Sequence, residues 1–199
     1  MSSKILRGTG FVLMRKKIGE ADRLATIFSK EFGKIIVLAK SARKLKAKNI
    51  GKLEPYYLID FQFIRGKSFN ILTSVNINKS YTFYNQKEAK IILQTIFNFT
   101  PEEQSDPKIY WLIDESFHLL HQKRMNILPY FKLKFWFLEG LIDAHQLLKS
   151  KQKLDQLFSQ IINHNLNYYL NLIETTNDQN QINRLEKAVD LFENRLKPN

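Results

Sequence analysis

Cysteine is absent from the 199 residues, which excludes disulfides, thiolate zinc sites and cysteine nucleophiles together and fits a reducing compartment. Glycine is scarce, seven in all, and none is arranged as a phosphate-cradling loop of the Walker type, so nucleotide hydrolysis is not expected. No serine or threonine stands in a glycine-framed nucleophile turn. No stretch approaches the roughly 18 apolar residues that would span a bilayer; even the greasy segment 135–148 carries Glu139, Asp143 and His145. At the N-terminus Phe11-Val12-Leu13-Met14 is too short for a signal peptide and runs into Arg15-Lys16-Lys17, so neither secretion nor a membrane is expected. There is no internal repeat and no low-complexity tract.

What the chain does have is positive charge, unevenly placed. Residues 1–80 hold 17 Lys and Arg against 5 Asp and Glu, whereas residues 81–199 hold 14 against 14, so the whole net charge of +12 belongs to the first part. A lysine-rich composition bias would spread over the chain. A block confined to one part asks for a local reason, and polyanion binding is the commonest. The densest stretch, Lys40-Ser41-Ala42-Arg43-Lys44-Leu45-Lys46-Ala47-Lys48 with Lys52 just after, lies between two strand-like segments. A merely solvated loop is the bland alternative.

The period of the apolar residues changes near the same place. Segments 5–16, 23–29, 34–40, 53–64 and 69–79 are β-branched or aromatic runs separated by Gly, Asp or Lys clusters, which predicts five strands. Lys30-Glu31-Phe32-Gly33 and Arg65-Gly66-Lys67-Ser68 read as hairpin turns. Five short strands are too few for two packed sheets and are most economically closed into a small barrel, of which the OB-fold is the leading candidate. After Tyr84 the period becomes helical: Gln86 to Phe97, Pro107 to His121, Pro129 to Leu148, Lys153 to Ile173 and Gln181 to Leu196 are the expected helices. The third is apolar on nearly every face and should be central to a bundle. The expected architecture is α+β, a basic OB-fold barrel over 1–80 followed by an all-helical, charge-neutral domain over 81–199.

The chemistry of the basic part suits nucleic acid. Phosphate is gripped by cations through counterion release, and bases stack on aromatic rings. Candidate cations are Lys16, Lys17, Arg23, Lys34, Lys40, Arg43, Lys44, Lys46, Lys48, Lys52, Arg65 and Lys67. Of the interleaved aromatics most are needed to fill the barrel, and Phe32, in a turn, and Phe69, beside one, are the expected exposed platforms. Glu20 and Asp22 could be misread as a magnesium pair. They are better read as turn formers that orient Arg23, because metal-dependent phosphoryl chemistry needs further convergent carboxylates and only Glu31, Glu54 and Asp60 remain in this part. His118, His121, His145 and His164 lack glutamates at matching spacing, so no metal, cofactor or catalytic residue is expected.

Ile18-Gly19-Glu20-Ala21-Asp22-Arg23-Leu24, Phe28, Glu31-Phe32-Gly33-Lys34, Ala39-Lys40-Ser41-Ala42-Arg43-Lys44, Leu53-Glu54-Pro55-Tyr56 and Arg65-Gly66 together resemble the N-terminal half of the bacterial recombination mediator RecO family. Order and spacing agree over roughly residues 5–75. The resemblance implies a non-enzymatic, cytoplasmic, nucleoid-associated protein of DNA recombination and repair that binds single- and double-stranded DNA and anneals strands. It further implies help in loading RecA onto DNA coated by the single-strand-binding protein SSB, with RecR as partner and the SSB C-terminal tail as a docking ligand. Two departures stand out. Ser41 occupies a position usually held by glycine, and the C-terminal cysteine cluster that binds zinc in many relatives is missing, which implies a shortened C-terminal domain. An RNA-binding OB-fold module and a metal-dependent nuclease are the competing readings.

Overall fold

The structure, a computed structural model, describes residues 4–42, 51–83, 86–124 and 127–142, together with Asn183, Lys187 and Val189. Five strands, β1 (Ile5–Ile18), β2 (Asp22–Ser29), β3 (Gly33–Ala39), β4 (Tyr57–Ile64) and β5 (Asn70–Ser80), are followed by helices α1 (Gln86–Phe99), α2 (Pro107–His121) and α3 (Leu128–Leu138). The strands close in the order β1-β2-β3-β5-β4, all neighbours antiparallel except β3 and β5. This is the α+β arrangement expected, with an OB-type barrel first and helices after it.

Alternation explains why these segments are strands. In β3, Gly33, Ile35, Val37 and Ala39 are buried while Lys34, Ile36 and Leu38 are not, and in β4 the inward set is Ile59, Phe61 and Phe63. These residues meet Val12, Ala25, Ile27, Leu53, Leu72 and Val75 in one core. β1 serves two neighbours: Ile5 to Phe11 pair with β4, and Gly10 to Ile18 pair with β2. An irregularity between Val12 and Met14 lets it bend from one to the other. β4 starts at Tyr57 rather than near Leu53. Leu53 turns into the core, and Tyr56, at φ 73, cannot extend a strand.

The β3–β5 seam is short, only Val37↔Asn70 and Leu38↔Ile71. The connection between α1 and α2 completes this edge of β3: Glu102 bridges Lys34 in parallel, and the Glu103 N–H donates to the Lys34 carbonyl at 2.9 Å. Gly33 makes the approach possible, since a Cβ there would lie 1.9 Å from the Gln104 carbonyl oxygen. α2 begins at an Asp106 cap whose carboxylate accepts from Lys108 N at 2.7 Å and Ile109 N at 3.4 Å, with Pro107 pre-set for the first turn. Its inner face joins the outer surface of β1 through a cluster of rings. Phe11 lies 5.3 Å from Tyr110 and 5.5 Å from Phe117, and Tyr81 donates its hydroxyl to Asp114 at 3.0 Å.

The chain divides into two compact units, Met1–Lys123 and Arg124–Asn199, the first holding the barrel with α1 and α2. In the second, α3 buries Tyr130, Phe131, Lys132, Leu133, Phe135 and Trp136, in keeping with an all-round apolar sequence. It does not run to Leu148 as its apolar period suggested. Gly140, at φ 73, stops it: Gly140 N–H donates to Phe137 O at 3.0 Å and Leu141 N–H to Trp136 O at 2.9 Å, the paired bonds of a Schellman ending. The two further helices expected over 153–173 and 181–196 lie outside the described residues, apart from Asn183, Lys187 and Val189, which are helical.

Candidate nucleic-acid interface

The β1–β2 hairpin and the end of β3 form one end of the barrel. Lys17 pairs with Arg23, and Arg23 with Ala39, so Lys40 follows directly beside the hairpin turn. Lys16, Lys17 and Lys40 are exposed there. Ala42, within the most basic stretch, and Leu53, just after it, are both buried in the core at 1% and 0% exposure. Ala42 lies three positions past the end of β3 and Leu53 four positions before β4. Arg43, Lys44, Lys46 and Lys48 themselves lie outside the described residues.

Backbone pins hold this end. The Ser41 N–H donates to Asp22 Oδ1 at 2.7 Å, and Ser41 itself adopts φ 54, a left-handed conformation natural to glycine. Asp22 therefore fastens the entry to the basic stretch and does not orient Arg23 as expected. The partner of Arg23 is Glu54, at 3.3 Å, whose Oε1 also accepts from Arg15 at 2.5 Å. The Arg23 side chain is only 12% exposed. Releasing it would cost a charged hydrogen bond, about 1.5–3 kcal/mol. One phosphate contact on a single strand returns roughly 1 kcal/mol at 0.1 M salt by counterion release. Structure wins, and Arg23 shapes the site by neutralising Glu54.

The other expected residues divide similarly. Lys34 is half-buried, and its Nζ donates to the Phe97 carbonyl at 2.7 Å in the last turn of α1. Its ammonium thus serves the helix end, where a cation suits the dipole. Lys52 is half-buried and donates to the Val75 carbonyl at 3.2 Å. Phe32 is not an exposed platform: it packs against the core, edge-on to Phe63 with ring centroids 5.2 Å apart. A turn position does not imply exposure when the turn closes the end of a barrel. Phe69 is 41% exposed as expected. It stands with Arg65 and exposed Lys67 on the β4–β5 turn, beside a groove of about 370 Å³ whose lining includes Phe69, Arg65, Ile36 and Asn70.

Arg15, Glu54 and Glu103 are the participants that sequence reasoning missed. Arg15 opens a run of three consecutive cations, and its role is visible only once Glu54, 39 positions away, is beside it. Glu103 forms an ion pair with Arg65 across 38 positions. Glu31 has a structural part, accepting from Thr9 N at 2.9 Å and Ser29 Oγ at 2.7 Å where β1 passes from one neighbour to the other. No helix among the described residues is long and apolar enough to cross a membrane.

A family model described as recombination protein O N terminal matches residues 1–81. The chain is similar to the DNA repair protein RecO of Alkaliphilus metalliredigens, 30% identical over 147 residues that cover 69% of this chain and 59% of that protein. It is 29% identical over 153 residues to the DNA repair protein RecO of Gloeobacter violaceus, covering 74% and 56%. Against that of Dehalococcoides mccartyi it is 33% identical over 113 residues, covering 53% and 44%. The chain spans about half the length of these curated relatives.

Proposed function

The chain belongs to the RecO family of DNA repair proteins through its N-terminal barrel, and from that premise we propose that the basic end of this barrel binds DNA backbones without sequence preference and lets complementary strands anneal. The observation that carries this reading is the exposure of Lys16, Lys17 and Lys40 together at the end of the barrel where the most basic stretch of the chain begins.

The physics is that of charge neutralisation. Two single strands repel through their phosphates, and a surface that replaces condensed counterions with fixed cations lowers that repulsion while leaving bases free to pair. No catalytic group is needed. Arg15 and Arg23 share one carboxylate, so together with Lys16 and Lys17 they leave this end of the barrel with a positive excess. Phe69 offers a ring face to an unstacked base near Arg65 and Lys67.

Within recombinational repair this activity would help exchange SSB for RecA on single-stranded DNA, with RecR as a partner and the SSB C-terminal tail as the ligand of the helical, charge-neutral region. The division into a DNA-binding barrel over 1–80 and a protein-docking region over 81–199 is part of the same proposal.

Fluorescence anisotropy of labelled single-stranded DNA, duplex and RNA, titrated with the full chain across a salt series, tests it. With about five engaged cations, the slope of log affinity against log salt on a single strand should be about 3–4 in magnitude. A slope near zero, or preference for RNA in direct competition, would remove the reading.

A further inference from the structure

We propose that Glu103 is a built-in competitor for Arg65, holding the guanidinium on the protein until a nucleic-acid phosphate displaces it. This rests on the DNA-binding reading and deepens it by naming what controls one cation of that surface.

The carboxylate is delivered by backbone, not by chance contact of two loops. Glu103 sits at φ 59, its N–H bonded to the Lys34 carbonyl, next to the Glu102↔Lys34 bridge. The bare Cα of Gly33 lets this segment lie flat on β3. The Lys34 ammonium ties the same place to the end of α1 through the Phe97 carbonyl. A non-glycine residue held at positive φ costs conformational energy, and the surrounding bonds maintain it. On the opposite side, Arg65 leaves β4 with its guanidinium carbon 5.8 Å from the centre of the Phe63 ring. Carboxylate and guanidinium meet at the rim of the groove beside Phe69, and both remain about half exposed, at 50% and 48%.

That exposure makes the pair displaceable. An ion pair open to water is weak and screened by salt. A phosphate offers the guanidinium two acceptor oxygens in a matching fork and releases counterions on binding. Arg65 is therefore available to a polyanion but withheld from isolated weak anions. The acidic wall also repels a backbone that enters from the α1–α2 side, so phosphates should pass on the Lys67 side of the turn.

The test is single-stranded DNA binding by the full chain, comparing wild type with Glu103→Gln, Arg65→Ala, the double variant and Glu102→Gln, with unfolding midpoints as a check on folding. Glu103→Gln should raise affinity about two- to fivefold, the value of an exposed ion pair, and change the salt slope by much less than the roughly 0.7 of a whole contact, because Arg65 reaches phosphate in both complexes. The gain should vanish in the Arg65→Ala background. Glu102→Gln, which removes an equal charge outside the ion pair, should give less than half the gain. Equal gains from the two glutamates, or a Glu103→Gln gain that survives without Arg65, would mean general repulsion and overturn the competition. Weaker binding by Arg65→Ala with no effect of Glu103→Gln would overturn it while the DNA-binding reading stands. Absence of binding by wild type and by Glu103→Gln would overturn both.

Discussion

Arg23 donates to Glu54 at 3.3 Å across 31 positions, joining the start of β2 to the segment before β4. With Arg15 on the same carboxylate oxygen at 2.5 Å, one acid holds two strands of the hairpin to the returning chain. Arg23→Ala should lower stability by about 1.5–3 kcal/mol, the range for a charged hydrogen bond of this partial burial. Urea unfolding of Arg23→Ala, Glu54→Gln and the double variant should give a coupling of at least about 1 kcal/mol. Additive effects would show that the contact contributes nothing.

The exposed cations of the same barrel end should behave in the opposite way. Replacing Lys16, Lys17 and Lys40 together by alanine should change stability by no more than about 0.5 kcal/mol. The salt slope for single-stranded DNA should fall by about 2 units, three contacts at roughly 0.7 each. Extending the substitutions to Arg43, Lys44, Lys46 and Lys48 should reduce it further, while Lys149→Ala with Lys151→Ala and Lys153→Ala should do much less. An equal effect of that control would place DNA across the charge-neutral region too.

Gly33 cannot tolerate a side chain. At φ 67, with the Gln104 carbonyl oxygen 1.9 Å from where a Cβ would stand, Gly33→Ala combines backbone strain with a clash against backbone. A loss of about 2–4 kcal/mol is expected. Amide exchange at Glu103, whose N–H bonds Lys34, should accelerate before global unfolding.

Ser41→Gly should act in the other direction. The serine holds φ 54, and the bond from its N–H to Asp22 needs no side chain, so glycine relieves strain without losing a partner. Stability should rise by up to about 1 kcal/mol, less the extra freedom glycine gives the unfolded chain. Asp22→Ala should remove about 1 kcal/mol, the usual value of such a bond. A gain from Asp22→Ala would contradict the pinning role.

Alkaline unfolding should begin above pH 10. Burial first, then the Asp114 carboxylate, raises the Tyr81 phenol well above its ordinary value, and burial with nearby acids raises Tyr110 to about 12. In the unfolded chain both ionise near pH 10, so above that pH the native state binds more protons and stability falls. The contribution is complete below pH 10 and is lost as the pH rises through the native values. Tyr110→Phe should flatten this slope in thermal melts between pH 9 and 12; an unchanged slope would exclude it.

Local rules were enough to reveal the five strands, their turns and the onset of helices, because alternation at β3 and β4, glycine at 33 and the Asp106-Pro107 pair act over a few residues. The charge asymmetry was equally local, and it pointed to a polyanion before any fold was known. What tertiary structure alone decided is which cations remain in water. Lys34 went to a helix carbonyl, Arg23 and Arg15 to Glu54, and Arg65 to Glu103, all through partners 31 to 63 positions away. Phe32 likewise turned from platform to packing by meeting Phe63, whereas the end of α3 at Gly140 is a local glycine stop that the apolar period of the sequence overran. Closing a barrel brings distant side chains within 3 Å of one another, and a sequence carries no marker for that distance; its local chemistry shows which groups are charged, and the closed fold settles whose charge is already answered.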